Sequence, residues 1–388
     1  MNSIQAIVIL LLIFSFGEII AAKTKAILST TLVIAVVLLI SFWCGLTPKI
    51  FELAQISGIS GVLIGILLTS MGSLIDFPEL KRQWKTVIIG FACVVCAVAA
   101  IIVVGIPVIG RQMAIAGAPI FAGANVATLI MTGELTKMNL PQIASFCVLV
   151  LVTQNFVGIP IASLLLRKEG REFVKNSENI KRYAKSEEAA GGAAKRKLLQ
   201  LPKFFETPII LLTKLAVVAM VANKISALTG GKLNYLLIAM LLGILLTELG
   251  FLENNILAKT QSSAFIIFAS TIIIFTTLAQ TTPGQMVSMI GPLLLVLVLG
   301  AVMVIVVGFL VSKLLKTSPY LGISLGLTCT FGFPTTMLMS QEVANAMGST
   351  EEEKTALRNY LLPKMIVAGF VTVTIVSVLV AGVVVGML

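Results

Sequence analysis

The chain has 388 residues, of which 58% are hydrophobic and only 12% are charged, and it carries a formal net charge of +11. Its mean hydropathy of +1.06 and its long uncharged runs exclude a soluble protein, because about 20 apolar residues are what a helix needs to cross a membrane. The basic residues lie in short connections beside apolar runs, so they indicate membrane topology and not a nucleic-acid surface.

Twelve apolar segments follow one another along the chain, six in each half. The first half contains 3–20, 26–44, 56–74, 86–109, 113–132 and 141–166, and the second contains 206–228, 233–251, 262–280, 286–312, 319–341 and 361–386. The first segment lacks the positive flank of a secretory signal, so we expect it to remain as a span. The predicted domains are two membrane repeats, 1–166 and 206–388, joined by a basic, mobile cytoplasmic linker at 167–205.

The fifth segment of each half is expected to break a helix. Residues 117–125 carry a proline, two glycines and an asparagine, and residues 328–336 carry glycine, proline and four threonines. Proline removes an amide donor, and glycine costs about 1 kcal/mol in a helix interior. Broken backbone at membrane depth is tolerated where protein or a water-filled cavity satisfies it. Composition alone leaves open whether each segment is a re-entrant hairpin or a kinked helix that crosses.

Charge placement favours re-entrance. With two re-entrant segments, both termini lie outside, and eleven Lys and Arg residues beyond the linker lie on its side of the membrane. Five lie outside: Lys49, Arg111, Lys137, Lys224 and Lys232. Two crossing segments would reverse this ratio, against the positive-inside rule. We therefore predict an all-α polytopic membrane protein of two inverted repeats, each with about five transmembrane helices and a broken segment.

This layout resembles the sodium/glutamate symporter family and the related citrate/sodium symporters, within the bile-acid-transporter-like folds. The resemblance covers two halves, a basic central loop and a glycine-containing segment before the last span of each half. Those families carry Gly-Gly-rich turns, whereas this chain has Gly117-Ala118-Pro119, Gly123-Ala124-Asn125 and Gly332-Phe333-Pro334. The resemblance implies sodium-coupled uptake of a small organic anion, such as an amino acid or a carboxylate.

The candidate site lies where the two broken segments would meet. Freed amides at helix starts suit a carboxylate, and freed carbonyls at helix ends suit a sodium ion. Three consecutive polar residues at 153–155 fall about halfway through their span, where polar groups are expensive. The residues expected to bind substrate or sodium are Gly117, Pro119, Gly123, Asn125, Thr128, Thr153, Gln154, Asn155, Thr328, Thr330, Gly332, Pro334, Thr335 and Thr336.

The acidic residues bear on the coupling ion. Asp76 is the only aspartate and lies in a loop, Glu18 and Glu248 lie near span ends, and the chain has no histidine. Proton-coupled carriers usually keep a titrating group deep in the membrane, so sodium is the expected coupling ion. Lys214 either attracts a substrate carboxylate or extends to the interface. Ser377 is expected to pack away from the breaks.

Composition also bears on other classes of function. An enzyme with a His base, a His-ligated zinc or an aspartyl pair is excluded by composition, so we expect no enzyme activity and no cofactor. A channel, an exporter and a proton-coupled antiporter on the same fold stay open. The expected partners are the bilayer, a small anionic solute and sodium, with a homodimer left open. The expected location is the plasma membrane as a multi-pass protein, taken as a bacterial cytoplasmic membrane.

Overall fold

The computed structural model describes residues 1–24, 28, 30–74, 77–184, 206–229, 235–332 and 335–388. Across these ranges the backbone is helical apart from turns, and it contains no strand. Where these ranges cover a predicted apolar segment, the segment coincides with one helix or with two or three consecutive helices, which confirms the all-α prediction. Helices are the expected outcome, since a chain in hydrocarbon must satisfy its backbone hydrogen bonds within each segment.

The helices of the first half and of the start of the predicted linker are α1 (Ser3–Lys23), α2 (Thr30–Trp43), α3 (Ile50–Leu53), α4 (Ser57–Gly72), α5 (Phe77–Arg82), α6 (Trp84–Ile109), α7 (Arg111–Lys137), α8 (Pro141–Thr153), α9 (Asn155–Val174) and α10 (Ser177–Ala184). Those of the second half are α11 (Pro208–Leu228), α12 (Tyr235–Leu249), α13 (Ile256–Lys259), α14 (Ser263–Phe275), a 3₁₀ helix (Thr276–Gln280), α15 (Pro283–Leu314), α16 (Pro319–Phe331), α17 (Thr335–Met347), α18 (Glu351–Phe370), a π-helix (Val371–Val376) and α19 (Ser377–Val385).

Local sequence signals set where several helices begin. A proline occupies the first turn of α8, α11, α15 and α16, where its missing amide proton would have had no helical acceptor. Capping boxes start α15 and α18: the Thr282 and Thr350 hydroxyls accept from the amides of Gln285 and Glu353, whose side chains accept in return.

Seven helices or runs of consecutive helices in the described ranges are long and apolar enough to cross a membrane. They are α1, α6, α7, α8 with α9, α11, α15, and α18 with the π-helix and α19. Four shorter apolar helices, α2, α4, α12 and α14, accompany them. These features are those of a multi-pass membrane protein.

The two broken segments form the centre of the helical assembly. The apolar window of α7 is 89% buried, against 39% or less for α1, α6, α11 and α15. Helix α7 packs against α6, α8 and α19, while α16 packs against α15, α9 and α6. The shorter helix α4 packs against α12, α14 and α11, and α12 also packs against α11. The segment that contains the first break is therefore the long segment most enclosed by protein.

The polar stretch departs from its prediction. Helix α9 runs eight residues beyond the predicted boundary at 166, to Val174, and α10 packs against α18. Residues 167–184 are thus helical and docked, and the mobile linker predicted from 167 is wrong for this part. Residues 185–205, which hold the rest of the predicted linker, lie outside the described ranges.

Helices α4 and α12 cross at a reciprocal pair of glycines. A methyl group built on Gly243 would lie 2.2 Å from the carbonyl oxygen of Thr69, and one on Gly72 would lie 2.5 Å from the amide nitrogen of Ile244. Both obstacles are backbone atoms, which a side-chain rearrangement cannot move. This approach depends on glycine at both positions, as is common where membrane helices pack closely.

We expect Gly243→Ala to destabilise the protein by about 1–3 kcal/mol, because the two helices must separate to admit the methyl group. Thermal unfolding of the purified protein in detergent measures the effect. Gly61→Ala, on α4, is the matched control: no atom lies within 4 Å of the position of its added methyl group. Equal melting temperatures for the Gly243→Ala protein and the wild type would contradict the close crossing.

Candidate functional site

The first break interrupts α7 at Ala124. This residue has φ 44° and ψ −130°, far from helical values, while the residues on both sides are helical. Pro119 precedes it within the same helix, and Gly123 is its neighbour. A positive φ is unusual for a residue with a side chain and stores about 1–3 kcal/mol of strain, which persists only when the surroundings impose it.

The second break lies between α16 and α17. Helix α16 ends at Phe331, and Gly332 has φ 57° and ψ −162°, a conformation that glycine adopts without steric cost. Helix α17 begins at Thr335, and the amide of Thr336 donates to the carbonyl of Gly332 at 3.1 Å. Pro334, a predicted site residue, lies outside the described ranges.

The two breaks share their local geometry. Both central residues combine a positive φ with an extended ψ. A threonine stands four residues after each, Thr128 and Thr336, and both are buried. The Thr132 and Ser340 hydroxyls, four residues further on, each donate 2.7 Å hydrogen bonds to the carbonyls of those threonines.

The last span of the chain brings the two breaks together. A methyl group built on Gly332 would lie 2.9 Å from Cγ2 of Val373, and one on Gly123 would lie 2.2 Å from Cβ of Ser377. Val373 and Ser377 are about one helical turn apart. The π-helix covers the first of these positions and ends just before the second, and such widened turns are frequent at functional sites.

Ser377 was expected to pack away from the breaks, and that expectation is wrong. Its side chain fills the space that the missing side chain of Gly123 leaves open, next to Ala124. Thr372, on the same span, places its hydroxyl oxygen 3.2 Å from that of Thr328. The sequence did contain a signal for both residues: a run of Thr372, Thr374 and Ser377 in an otherwise apolar span.

The last span of the first half approaches the second break in a similar way. Gly158, on α9, lies so close to α16 that a methyl group on it would be 1.8 Å from Oγ1 of Thr330. Gln154 stands at the junction of α8 and α9, one turn before Gly158. Asn155 and Thr335 line the same cavity. The polar residues of this span and those of the second break therefore lie side by side.

Several buried polar atoms at this place have no hydrogen-bond partner among the described residues. They are both amide atoms of the fully buried Gln154, Oδ1 of Asn155 and Oγ1 of the fully buried Thr336. An unsatisfied buried polar group costs about 1–3 kcal/mol, so a fold keeps several only for a reason. Uncharged oxygen and amide groups of this kind suit a polar ligand or an alkali cation.

A cavity of ≈ 260 Å³ lies between α9 and α17. Asn155 and Thr335 line it at the break, and Arg167 and Glu342 line it further along the two helices. Asn155 and Arg167 are twelve positions apart, which corresponds to about 18 Å along a helix. The cavity therefore runs from the break towards the end of α9, and Phe156, Ile159 and Leu338 form part of its apolar wall.

The remaining predicted site residues fall into three groups. Asn125 is exposed halfway along the otherwise buried α7, which is an expensive position unless it faces water. Thr128, Thr153 and Thr330 donate to carbonyls in their own helices, at 2.8, 2.6 and 2.8 Å, so their hydroxyls are satisfied locally. Gly117 and Pro119 are buried, and Gly117 packs against Phe146.

The prediction also missed charged groups in the interior. Lys214, which is 6% exposed, forms an ion pair with the partly buried Glu253, at 2.6 Å. Glu169, near the end of α9, is only 5% exposed. Neither carboxylate was recognised from sequence, because Glu253 follows the end of α12 and Glu169 lies in a segment rich in polar residues.

We expect Ala124→Gly to raise the melting temperature, because glycine adopts the backbone conformation of the first break without the strain that alanine stores there. The gain is about 1 kcal/mol, since the greater freedom of glycine in the unfolded chain offsets part of it. Ala122→Gly, two residues away in regular helix, is the control and should destabilise by about 1 kcal/mol. A lower melting temperature for both variants would contradict a strained break.

Comparison with known proteins does not assign the chain to a family. No family model matches the chain, and no curated protein matches it either. The resemblance to the sodium/glutamate symporters therefore stays a prediction that rests on the layout of the halves. The two breaks, the buried polar groups beside them and the cavity that leads to them are the features that bear on function.

Proposed function

We propose that this protein is a secondary active transporter that moves a small organic anion by alternating access, coupled to sodium. The observation that carries the proposal is the meeting of two backbone breaks beside buried polar groups of Gln154 and Thr336 that have no hydrogen-bond partner among the described residues. Helix breaks free amides and carbonyls, and inside a membrane such groups are tolerated where they line a cavity or bind a ligand. Paired broken helices near the midplane are the usual substrate site of secondary transporters.

The order of helices supports two repeats. From α1 to α4 and from α11 to α14, corresponding helices start 205 or 206 residues apart, including α1 and α11 with 21 residues each and α3 and α13 with four each. Four pairs of residues with positive φ recur 205–208 residues apart, while Asn139 and Asn255 have no such counterpart among the described residues. These pairs are Gly45 and Gly250, Gln55 and Gln261, Gly110 and Lys316, and Ala124 and Gly332.

Contacts at the ends of the broken segments support re-entrance. Ser318, just before α16, donates to Glu169, while Met347, at the end of α17, packs against the next residue, Gly170. Both ends of the second segment thus lie at one place on α9. In the first segment, Cys147 Sγ lies 3.6 Å from the carbonyl oxygen of Ala116, and each is five or six residues into its helix. Helix α7 is long enough to cross, but these contacts favour two hairpins.

Re-entrance leaves five crossings in each half, so the two repeats would be inverted and one hairpin would enter from each side. The charge ratio of eleven to five then places the end of α9 and the start of α18 on the cytoplasmic side. The first turns of α17 and of the second part of α7 point amides towards the breaks, which suits a carboxylate. The cavity of ≈ 260 Å³ is small for an organic ligand site, which favours a small solute.

Sodium coupling is supported by the chemistry of the break residues. Hydroxyl, amide and freed carbonyl oxygens are the ligands that sodium sites in transporters use. One observation favours a second candidate, a proton-coupled antiporter or exporter: the carboxylate of Glu342 lines the cavity. Uptake into vesicles separates the two, since a sodium gradient drives the first and a pH gradient without sodium drives the second.

Single cysteines test the topology. We expect cysteines at Gln112 and Met138, which flank the first broken segment, to react with a membrane-impermeant reagent from outside. Cysteines at Thr317 and Ser349, which flank the second, should react only from inside, because each segment returns to the side it entered. Labelling of positions 112 and 138 from opposite sides would show that α7 crosses.

Thr336→Val tests the ion site. We expect the variant to lose the sodium-dependent rise in melting temperature, with sodium dependence weakened about tenfold to a hundredfold, because a hydrogen-bonding oxygen next to a charge is removed. Without sodium the variant should be at least as stable as the wild type, because an unsatisfied hydroxyl is gone. Thermal unfolding in sodium or potassium, with a panel of carboxylates and amino acids, measures both effects.

Ser312→Ala is the matched control for Thr336→Val. Its hydroxyl is also fully buried and without a hydrogen-bond partner among the described residues, but it lies at the end of α15, against Gly322 and far from the breaks in sequence. We expect its sodium response to be that of the wild type. Equal sodium responses in Thr336→Val and Ser312→Ala would remove Thr336 from the site.

A further inference from the structure

Glu169 is a buried carboxylate near the end of α9, and it accepts two hydroxyl hydrogen bonds. The donors are Ser318, immediately before α16, and Tyr360 of α18, whose hydroxyl lies 2.8 Å away. Ser318 occupies the N-cap position of α16, yet its hydroxyl accepts no capping hydrogen bond from that helix. Its hydroxyl therefore bonds to α9 and does not cap the first turn of α16, which is the usual role of a serine at this position.

The residues around Glu169 hold both ends of the second broken segment. Gly170 packs against Met347, where α17 ends: a methyl group built on it would lie 3.1 Å from Cγ of that methionine. Lys168 lies over the ring of Tyr320 at the start of α16, 5.8 Å from its centroid. Three consecutive residues of α9 thus contact the segment where it begins and where it ends.

An aromatic cluster connects this contact to α10. Tyr360 stacks on Phe173 with ring centroids 4.5 Å apart and meets Tyr183 of α10 edge to face at 5.2 Å. Asn359 donates a 3.1 Å hydrogen bond to the carbonyl of Tyr183, and the Lys364 ammonium lies 4.0 Å from the Tyr360 centroid. Helix α10 therefore packs against the same tyrosine that donates to Glu169.

We propose that Glu169 is a positioning residue that, through Ser318 and Tyr360, fixes the width of the cavity between α9 and α17. Arg167, which lines the cavity, lies two residues before Glu169 on α9, so the hydrogen bonds of Glu169 act at the end of the cavity that is farther from the break. The cavity can widen only if α9 moves away from the second segment, and that movement breaks the bond to Ser318. The inference rests on the proposed function, in which this cavity is the path of the solute.

Labelling of a cavity residue tests the inference. Met339 lines the cavity and is 5% exposed, so a cysteine there reacts with a water-soluble maleimide only when the cavity widens. In purified protein carrying Met339→Cys and Cys44→Ser, we expect Tyr360→Phe to speed this labelling about tenfold or more, because a hydrogen bond to a buried carboxylate is lost while the ring remains. Tyr183→Phe is the matched control, because it removes a phenol from the same cluster without touching Glu169.

The native cysteines separate widening from unfolding. Cys93, Cys147 and Cys329 are fully buried, so their labelling, resolved by mass spectrometry, reports global opening. Ser318→Ala should act as Tyr360→Phe does, and Ser318→Thr, which keeps the hydroxyl, should restore slow labelling. Unchanged labelling in Tyr360→Phe and Ser318→Ala, or equal acceleration at the buried cysteines, would overturn the positioning role. The assay requires no transport, so its outcome is independent of whether the proposed function holds.

Discussion

The rest of the structure depends on how backbone groups freed inside a membrane protein are satisfied. Two helices are broken at Ala124 and Gly332, and neither break can face lipid, because an unpaired amide or carbonyl there costs several kcal/mol. The protein answers this constraint by enclosing the broken segments: α7 is the most buried of the long helices, and α16 is packed between α6, α9 and α15. The long apolar helices outside them have the ordinary composition of membrane spans and provide the enclosure.

Close enclosure explains the small residues around the breaks. Gly158 admits Thr330, and Gly123 admits Ser377, at distances that any side chain on either glycine would prevent. Hydroxyl side chains suit these crossings, since they are small and can donate to a carbonyl of their own helix, as Ser377 does to Val373 at 2.5 Å. The same two features, glycine and hydroxyl groups, would let the helices change their relative position without burying a new unsatisfied group. Close packing and the proposed transport thus both favour glycine and hydroxyl residues at these crossings.

The sequence predicts the helices well and the contacts between them poorly. Apolar runs and the local chemistry of Pro119, Gly123 and Gly332 are short-range signals, so residue types along the chain are enough to locate the spans and both breaks. The role of Ser377 depends on which residue faces Gly123 from another helix, and that information is not local. The ion pair of Lys214 and Glu253 could not be predicted for the same reason, because the two residues are 39 positions apart in the sequence. Asn125 and Thr336 are predicted as polar residues near breaks and Gln154 as a polar residue near the middle of its span, but only the structure distinguishes the exposed Asn125 from the other two, whose buried side chains have no partner among the described residues.

The two breaks are alike in backbone and unlike in their surroundings. The Thr128 hydroxyl donates to the carbonyl of Ala124, whereas the hydroxyl of Thr336, in the corresponding position, has no partner in the part of the chain that the structure describes. The cavity that Thr335 lines lies beside the second break, and strain is stored at the first, where alanine takes a conformation that suits glycine. If the halves are inverted repeats, alternating access requires that the two hairpins have different surroundings in each state. In the other state, the first hairpin would take the surroundings that the second has here, and the second those of the first. The difference in free energy between the two states would then reside in a few polar contacts at the breaks and in the hydrogen bonds of Glu169, which the packed apolar helices around them do not share.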